Sequence, residues 1–151
     1  MAKVYLKIYK LNTPKNSITP TKKSFGSKTA FSLIKKEFNA ITAENIMKSM
    51  YTHPQKDKYD FTLSDKFVAY GEKNKMFIHG HTLIWHSQLA PWMEKIADST
   101  EMKAFMQDHI NTIVSKYKGR IGSWDVVNEA LNEEVTMRQS VFLKTLGEKY
   151  L

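Results

Sequence analysis

The sequence contains no cysteine, and this absence excludes disulfide bonds and thiolate metal sites. It has no apolar run long enough to span a membrane, so a membrane is not an expected partner. No continuous apolar region follows the positively charged start of the chain, and no signal peptide is therefore predicted. None of these absences identifies a cellular compartment, and the localisation is left open.

Acidic residues are almost missing from the first forty positions, where nine lysines accompany a single glutamate, Glu37. This segment carries the whole net charge of +8, and the rest of the chain is neutral. A basic arm can bind nucleic acid or another polyanion. The arm has no arginine and no RNA-binding aromatic motif, which disfavours nucleic acid. We interpret residues 1–28 as a solvated, irregular arm and keep polyanion binding as an alternative function.

The rest of the chain has the composition of a folded domain. With 151 residues, 42% of them hydrophobic and 25% charged, it can bury a substantial core. Helical spacing of apolar residues predicts helices over residues 29–38, 62–74 and 98–118, and another from residue 140. Apolar runs predict buried strands over residues 38–42, 76–85 and 121–127. This alternation predicts an α/β fold with a mostly parallel sheet and helices outside it.

Polar residues cluster where the predicted strands end, which is where parallel α/β barrels place their active sites. The segment WDVVNEA (residues 124–130) puts Glu129 directly after a buried strand. A partly apolar setting there would raise the pKa of the carboxyl and let it donate a proton near neutral pH. Asn128 can hold a sugar hydroxyl. The alternative is that Glu129 caps the next helix, and the flanking aromatic residue and valines favour the functional reading.

The segment FIHGHTLIWHSQ (residues 77–88) ends the second predicted strand. His79 and His81 alternate onto one face, as two metal ligands would, but no third spaced ligand accompanies them. We therefore predict no metal site and interpret His79 as a core histidine bonded to backbone. Trp85 offers a flat apolar surface, and His81 and Gln88 offer hydrogen bonds. Sugars present apolar ring faces and hydroxyl edges, so this combination suits a carbohydrate.

The segment FNAITAENIMK (residues 38–48) brings donors and acceptors together after the first of these strands. Glu44, Asn45 and Lys48 supply them. Taken alone, the same residues describe an ordinary helix start, with Asn45 as the cap and Glu44 near the positive end of the helix dipole.

In this order and at similar separations, the three segments resemble glycoside hydrolase family 10, whose members read F-N-x-x-T-x-E-N, G-H-T-L-x-W-H-S-Q and W-D-V-V-N-E-A. The later MRQSVF (residues 137–142) and Leu146-Gly147 are also similar, so the resemblance covers about residues 31–151. It implies a (β/α)8 TIM barrel, of which residues 29–151 form roughly the N-terminal half. It also implies retaining, endo-acting hydrolysis of β-1,4-xylan without metal or cofactor.

The resemblance assigns roles residue by residue. Glu129 corresponds to the general acid/base. The sugar-binding residues would be Glu44, Asn45, Lys48, His81, Trp85, Gln88 and Asn128. The family's nucleophilic glutamate is expected beyond residue 151, so these residues alone should bind sugar poorly and hardly cleave it. Family members are usually secreted.

Three functional hypotheses follow. The first is a part of a xylanase that acts on xylan or xylo-oligosaccharides. The second is a half-barrel that binds xylan or another carbohydrate without hydrolysing it. The third is a polyanion-binding protein that uses the basic arm. In each case an open barrel edge favours self-association.

Overall fold

A computed structural model describes residues 6–9 and 28–151 of the chain. The strands are β1 (Leu6–Tyr9), β2 (Ala40–Ala43), β3 (Phe77–Gly80), β4 (Ile84–Trp85), β5 (Ser123–Trp124) and β6 (Val127–Asn128). The α-helices are α1 (Lys28–Glu37), α2 (Ser49–Thr52), α3 (Thr62–Lys73), α4 (Ser99–Lys116) and α5 (Val141–Leu146). Short 3₁₀ helices occupy Met93–Lys95 and Gly147–Tyr150.

The described strands form two small sheets. One has the order β1-β2-β3-β5, in which β2, β3 and β5 are parallel and β1 pairs antiparallel with β2. The other is the parallel pair β4-β6. Helices separate the parallel strands along the chain, so the arrangement is a partial (β/α) barrel with mostly parallel strands, as the sequence predicted. Within the described residues, no helix is long and apolar enough to cross a membrane.

Strand β1 lies inside the segment that was predicted to be irregular. That part of the prediction is wrong for residues 6–9, where three of the four residues are apolar and where Ile8 and Tyr9 are of types enriched in strands. The remaining residues of the predicted arm, apart from Lys28 at the start of α1, lie outside the described residues. The division of the chain after residue 28 stays a prediction.

Two predicted strands are each divided in two. The run over residues 76–85 becomes β3 and β4, and the run over residues 121–127 becomes β5 and β6. Hydrogen bonds continue between the pieces: the Asp125 N–H donates to the Gly80 carbonyl, and the Leu83 N–H donates to the Asp125 carbonyl, both at 3.0 Å. The chain therefore changes direction after β3 and again after β5. The side chains at these two breaks lie at the carboxyl end of the sheet.

Helix α4 packs the outside of the sheet through a regular apolar face. Its buried residues, Met102, Phe105, His109 and Ile113, recur at three- and four-residue intervals. Met106 and Ile110 of the same helix lie beside this face and are only partly buried. The Asp98 side chain caps the helix by accepting a hydrogen bond from the Glu101 N–H at 2.8 Å.

Helix α3 begins at Thr62, the first residue of the predicted range 62–74. Thr62 is already helical, and the acceptor for its N–H is the Asp60 carboxylate at 2.9 Å. Phe67 and Val68 of α3 join the core beneath β2 and β3, where Ile41 and Ile78 are buried. This packing fixes the strands, so the residues that follow β2, β3 and β5 are presented together on one side.

Candidate active site

A cleft of about 600 Å³ opens at the carboxyl ends of the parallel strands. Its walls bring together residues from all three predicted segments. The lining residues are Ala40, Thr42, Glu44, Lys48, Phe77, His79, His81, Trp85, Ser123, Asp125, Asn128 and Glu129. Most of the lining side chains are polar, and Ala40 and Phe77 add an apolar part to the cleft.

Six of the eight predicted site residues line this cleft directly. Asn45 is adjacent, because its side-chain carbonyl accepts a 2.9 Å hydrogen bond from Lys48 Nζ. Gln88 is not among the lining residues; its backbone carbonyl accepts from the Met50 N–H at 3.2 Å. The structure therefore brings together the residues chosen from the sequence, with Gln88 at their margin. Their roles toward a substrate stay predictions.

Glu129 lies at the end of β6 and contacts Trp85 across the cleft. The indole Nε1–H of Trp85 donates to Glu129 Oε2 at 3.0 Å. Glu129 is exposed, so the partly apolar setting predicted for it is wrong. The flanking Val126 is also exposed, and Val127 packs against the core, so neither valine is observed to enclose the carboxyl.

The backbone of Glu129 is held in an uncommon conformation. Its φ angle is 51°, in the left-handed region that non-glycine residues seldom adopt. Arg138 supports this conformation, because its Nε donates to the Glu129 carbonyl at 3.0 Å and its Nη2 to the Leu131 carbonyl at 3.3 Å. The guanidinium thus fixes the direction in which the Glu129 side chain leaves the strand end.

Lys48 brings a positive charge to the cleft although only 5% of its surface is exposed. Its ammonium lies 4.3 Å from the centroid of the Trp85 ring, which is a cation–π distance. The bond to Asn45 holds the same nitrogen from the other side. Lys48 and Trp85 therefore contact each other in the cleft wall before any ligand binds.

Asp125 connects two histidines that the sequence treated separately. Its Oδ2 lies 2.7 Å from His81 Nδ1 and 3.1 Å from His79 Nε2. Burial opposes ionisation of Asp125, but the hydrogen bonds from His81 and then His79 hold the pKa of its carboxyl below the usual range. An ionised Asp125 accepts from both rings, so His79 Nδ1 is left to accept from the Ser123 hydroxyl at 2.7 Å.

This network corrects the interpretation of His79 as a histidine bonded to backbone, since its partners are side chains. His79 and His81 do share one face, as predicted. Among the described residues, no group of three histidine or acidic side chains is arranged to hold a metal ion. The two rings are instead oriented by a common carboxylate.

Asp125, Ser123 and Thr42 are cleft residues that were not selected from the sequence. Strand alignment contained the signal for Asp125. In the parallel register His79 pairs with Ser123 and Gly80 with Trp124, so the next positions, His81 and Asp125, must be neighbours. Thr42 was not selected because it lies within a predicted buried strand. In such an apolar run, the residues of the inner face cannot be distinguished from those of the outer face.

Comparison with known proteins identifies the family. The model of glycosyl hydrolase family 10 matches residues 8–151. The chain belongs to this family. Its match begins within β1, which places residues 8–28 in the family region in addition to the stretch that carried the sequence resemblance.

Named relatives agree with this assignment. Endo-1,4-beta-xylanase B of Thermotoga neapolitana is 41% identical over 118 residues, which cover 78% of this chain and 34% of that protein. Endo-1,4-beta-xylanase 3 of Hypocrea jecorina is 38% identical, with 84% and 39% covered. The chain therefore spans between a third and two fifths of the length of these relatives.

Solved structures of family members share the fold. Native xylanase 10B from Thermotoga maritima matches with a TM-score of 0.78 and 42% identity, covering 85% of this chain and 41% of that one. Xylanase 10B from Thermotoga petrophila, solved in complex with xylobiose, has a TM-score of 0.78, 41% identity and coverages of 85% and 40%. Penicillium canescens XylE, an endo-1,4-beta-xylanase, has a TM-score of 0.80 and 34% identity, with coverages of 87% and 39%. The partial barrel of this chain is thus the counterpart of part of a family 10 barrel.

Proposed function

We propose that residues 1–151 supply the acid/base half of an endo-1,4-β-xylanase active site. The observation that carries the proposal is the position of Glu129, which lies in the cleft and accepts a hydrogen bond from Trp85. Names of relatives support xylan as the substrate class, and the xylobiose complex of the Thermotoga petrophila enzyme supports a xylo-oligosaccharide ligand.

Glu129 is the general acid and then the general base in this proposal. In the first step its protonated carboxyl gives a proton to the glycosidic oxygen as the bond to the anomeric carbon breaks. A second carboxylate bonds to the anomeric carbon as the leaving group departs. In the second step the Glu129 carboxylate removes a proton from water, which attacks the same carbon and displaces that second carboxylate. The exposed position of Glu129 lets it reach a glycosidic oxygen that enters from the open side of the cleft.

The neighbouring residues hold the sugars. Trp85 and Lys48 form a wall against which a xylose ring packs, and the Lys48 ammonium donates to the ring's hydroxyl oxygens. Glu44, Asn45 and Asn128 accept and donate hydrogen bonds around that ring, with His81 oriented by Asp125. Gln88 stands at the margin and contributes to a more distant sugar. No metal or cofactor takes part in the proposed chemistry.

A retaining mechanism needs a second carboxylate about 5–5.5 Å from the first, which attacks the anomeric carbon. Within the described residues, the other carboxylates lining the cleft are Glu44 and Asp125. Asp125 is engaged by both histidines, and the family resemblance assigns Glu44 to sugar binding. We therefore place the nucleophile outside residues 1–151, in the part of the family barrel that this chain does not match.

The experiment is to incubate the purified polypeptide of residues 1–151, and its Glu129→Gln variant, with xylohexaose. Product chromatography should detect no hydrolysis by either, while titration should detect weak binding by both. Hydrolysis that the variant abolishes would contradict the missing nucleophile, and Glu44 would then be the first candidate for that role. No binding at all would contradict the sugar-binding role of the cleft.

The second hypothesis, a half-barrel that binds xylan without hydrolysis, predicts the same result for this polypeptide. The binding hypothesis and the xylanase proposal differ once the second carboxylate is supplied, because only the xylanase proposal then predicts turnover. For polyanion binding through the basic arm, no observation on the described residues adds support.

A further inference from the structure

A second depression lies apart from the cleft and shares none of its lining residues. It consists of two adjoining cavities of about 470 and 200 Å³. Both are lined by Lys56, Trp92 and Glu101, so together they form one groove that passes over Trp92. The other lining residues are His53, Pro54, Gln55, Asp57, Pro91, Lys95, Ile96, Ala104, Phe105 and Asp108. The proposed chemistry of the cleft uses none of these residues.

Trp92 is fixed in the floor of this groove. Its indole Nε1–H donates to the His53 carbonyl at 3.1 Å, and its ring meets the rings of His53 and Phe105 edge to face, at centroid distances of 4.8 and 5.2 Å. These contacts satisfy the polar edge of the indole and hold the ring in one orientation. The part of Trp92 that faces the groove therefore presents apolar surface that is preorganised before any ligand arrives.

The rest of the groove combines a rigid apolar floor with a polar rim. Pro54 and Pro91 flank Trp92 and have no backbone N–H to satisfy. Gln55 and Lys95 are exposed on the rim. Lys56 Nζ and Glu101 Oε1 form an ion pair at 2.6 Å across the groove, which adds a cation and a carboxylate at one point.

We propose that this groove is a second oligosaccharide-binding site, separate from the catalytic cleft. A pyranose ring offers an apolar face to Trp92 and the prolines, and equatorial hydroxyls to amide, ammonium and carboxylate groups on the rim. A peptide fits less well, because extended peptides pair with a strand edge and the described lining residues belong to no strand of either sheet.

Such a site would hold a long glycan beside the cleft. Residues 44–56 and 85–95 each contribute to both places: Lys48 and Trp85 line the cleft, while Gln55 and Lys95 line the groove. Two weak sites that bind one polymer gain affinity from each other through a raised effective concentration. The groove would therefore favour polymeric substrate over short oligosaccharides.

The test is to titrate the ¹⁵N-labelled polypeptide of residues 1–151 with xylohexaose and follow backbone amides by NMR. The choice of xylohexaose rests on the proposed function. Amides of Gln55, Lys95 and Glu101 should shift, and they should shift equally in a Trp85→Ala variant in which the cleft is impaired. Trp92→Ala should weaken binding at these amides about tenfold, the order expected for losing one aromatic platform.

Controls separate loss of the site from loss of the fold. Trp92→Phe keeps an aromatic ring on Phe105 and should retain part of the binding. Should Trp92→Ala fail to fold, the double variant Gln55→Ala/Lys95→Ala changes only exposed rim side chains and should still weaken binding.

Groove amides that do not move with xylohexaose would overturn the second site. Shifts of Glu44 and Glu129 in the same spectra would leave the proposed function of the cleft intact. The second site would also be overturned if a proline-rich peptide shifted the groove amides more strongly than xylohexaose does, since aromatic grooves can bind such peptides.

Discussion

His53 and His109 are buried together behind the strands, and they make the fold sensitive to acid. Their exposed fractions are 1% and 0%, and their Nδ1 atoms lie 3.1 Å apart. His53 Nε2 lies 2.9 Å from the Lys56 carbonyl, so this nitrogen carries the proton and donates, while His53 Nδ1 accepts from His109. Burial, followed by the neighbouring His53, lowers the pKa of His109 to about 3. Burial also lowers the pKa of His53, and the hydrogen bond to the Lys56 carbonyl and the charges of Asp108 and Asp57 offset that shift only partly.

This pair predicts that the free energy of unfolding falls as the pH is lowered below about 6.5. The unfolded chain takes up a proton at His109 in that range, whereas the folded chain does so only near pH 3. The expected slope is roughly 1 kcal/mol per pH unit for one histidine. Urea denaturation between pH 7 and 5.5 measures it, above the range where most carboxylates titrate.

His109→Phe is the matched variant, because it keeps an aromatic ring against Phe105 and Tyr59. It should lose stability at pH 7, where His53 is left without its partner, and it should show a smaller dependence on pH. An unchanged slope would mean that other groups cause the acid sensitivity.

At the scale of single elements, capping by side chains decides where helices begin. Asp98 caps α4, and Ser140 caps α5 by accepting from the Leu143 N–H at 3.1 Å. Both helices were predicted to begin at these residues, since small polar residues before an amphipathic run are the usual signal. At α3 the same signal pointed to Thr62, but Asp60 is the acceptor. Residue type alone cannot decide between two candidate capping residues that lie two positions apart.

Asp98→Ala should lower the free energy of unfolding by about 1 kcal/mol, the usual cost of losing an N-cap. The effect should reach the whole fold because Met102, Phe105 and Ile113 of α4 are buried in the core. Urea denaturation compares this variant with Asp98→Asn, which retains an acceptor and should be nearly neutral. Equal losses in both variants would point to the charge of Asp98 near the helix dipole instead.

At the scale of the whole molecule, the sequence predicted the parallel α/β architecture and most of the cleft. Three strand ends carried Glu44, His81, Trp85 and Glu129, and parallel pairing brings strand ends together by necessity. The sequence did not predict the breaks after β3 and β5, because an apolar run contains no signal for a change of direction. The network around Asp125 depends on those breaks. The exposure of Glu129 was also missed, since burial of its neighbours depends on the tertiary fold.

The polypeptide of residues 1–151 should self-associate. Strand β5 is an outer strand of the described four-stranded sheet, and Phe77 and Val126 nearby are 40% and 50% exposed. Unpaired edges and exposed apolar side chains favour association. Sedimentation should give a mass that rises with concentration, and Val126→Lys should reduce this rise. A stable monomer at high concentration would contradict the prediction.

The role of Glu129 as the acid/base of a xylan-cleaving site can be tested in a chimera. Residues 1–151 replace the matching part of a family 10 xylanase, so the second carboxylate is supplied by the relative. Turnover is then measured for the chimera and its Glu129→Gln variant, on xylan and on an aryl xylobioside with an activated leaving group. The variant should lose roughly 10²–10⁴-fold on xylan, the usual contribution of general acid/base catalysis. The loss in the first step should be much smaller on the aryl substrate, whose leaving group needs little protonation. Equal activity of the chimera and its variant on xylan would contradict the claim.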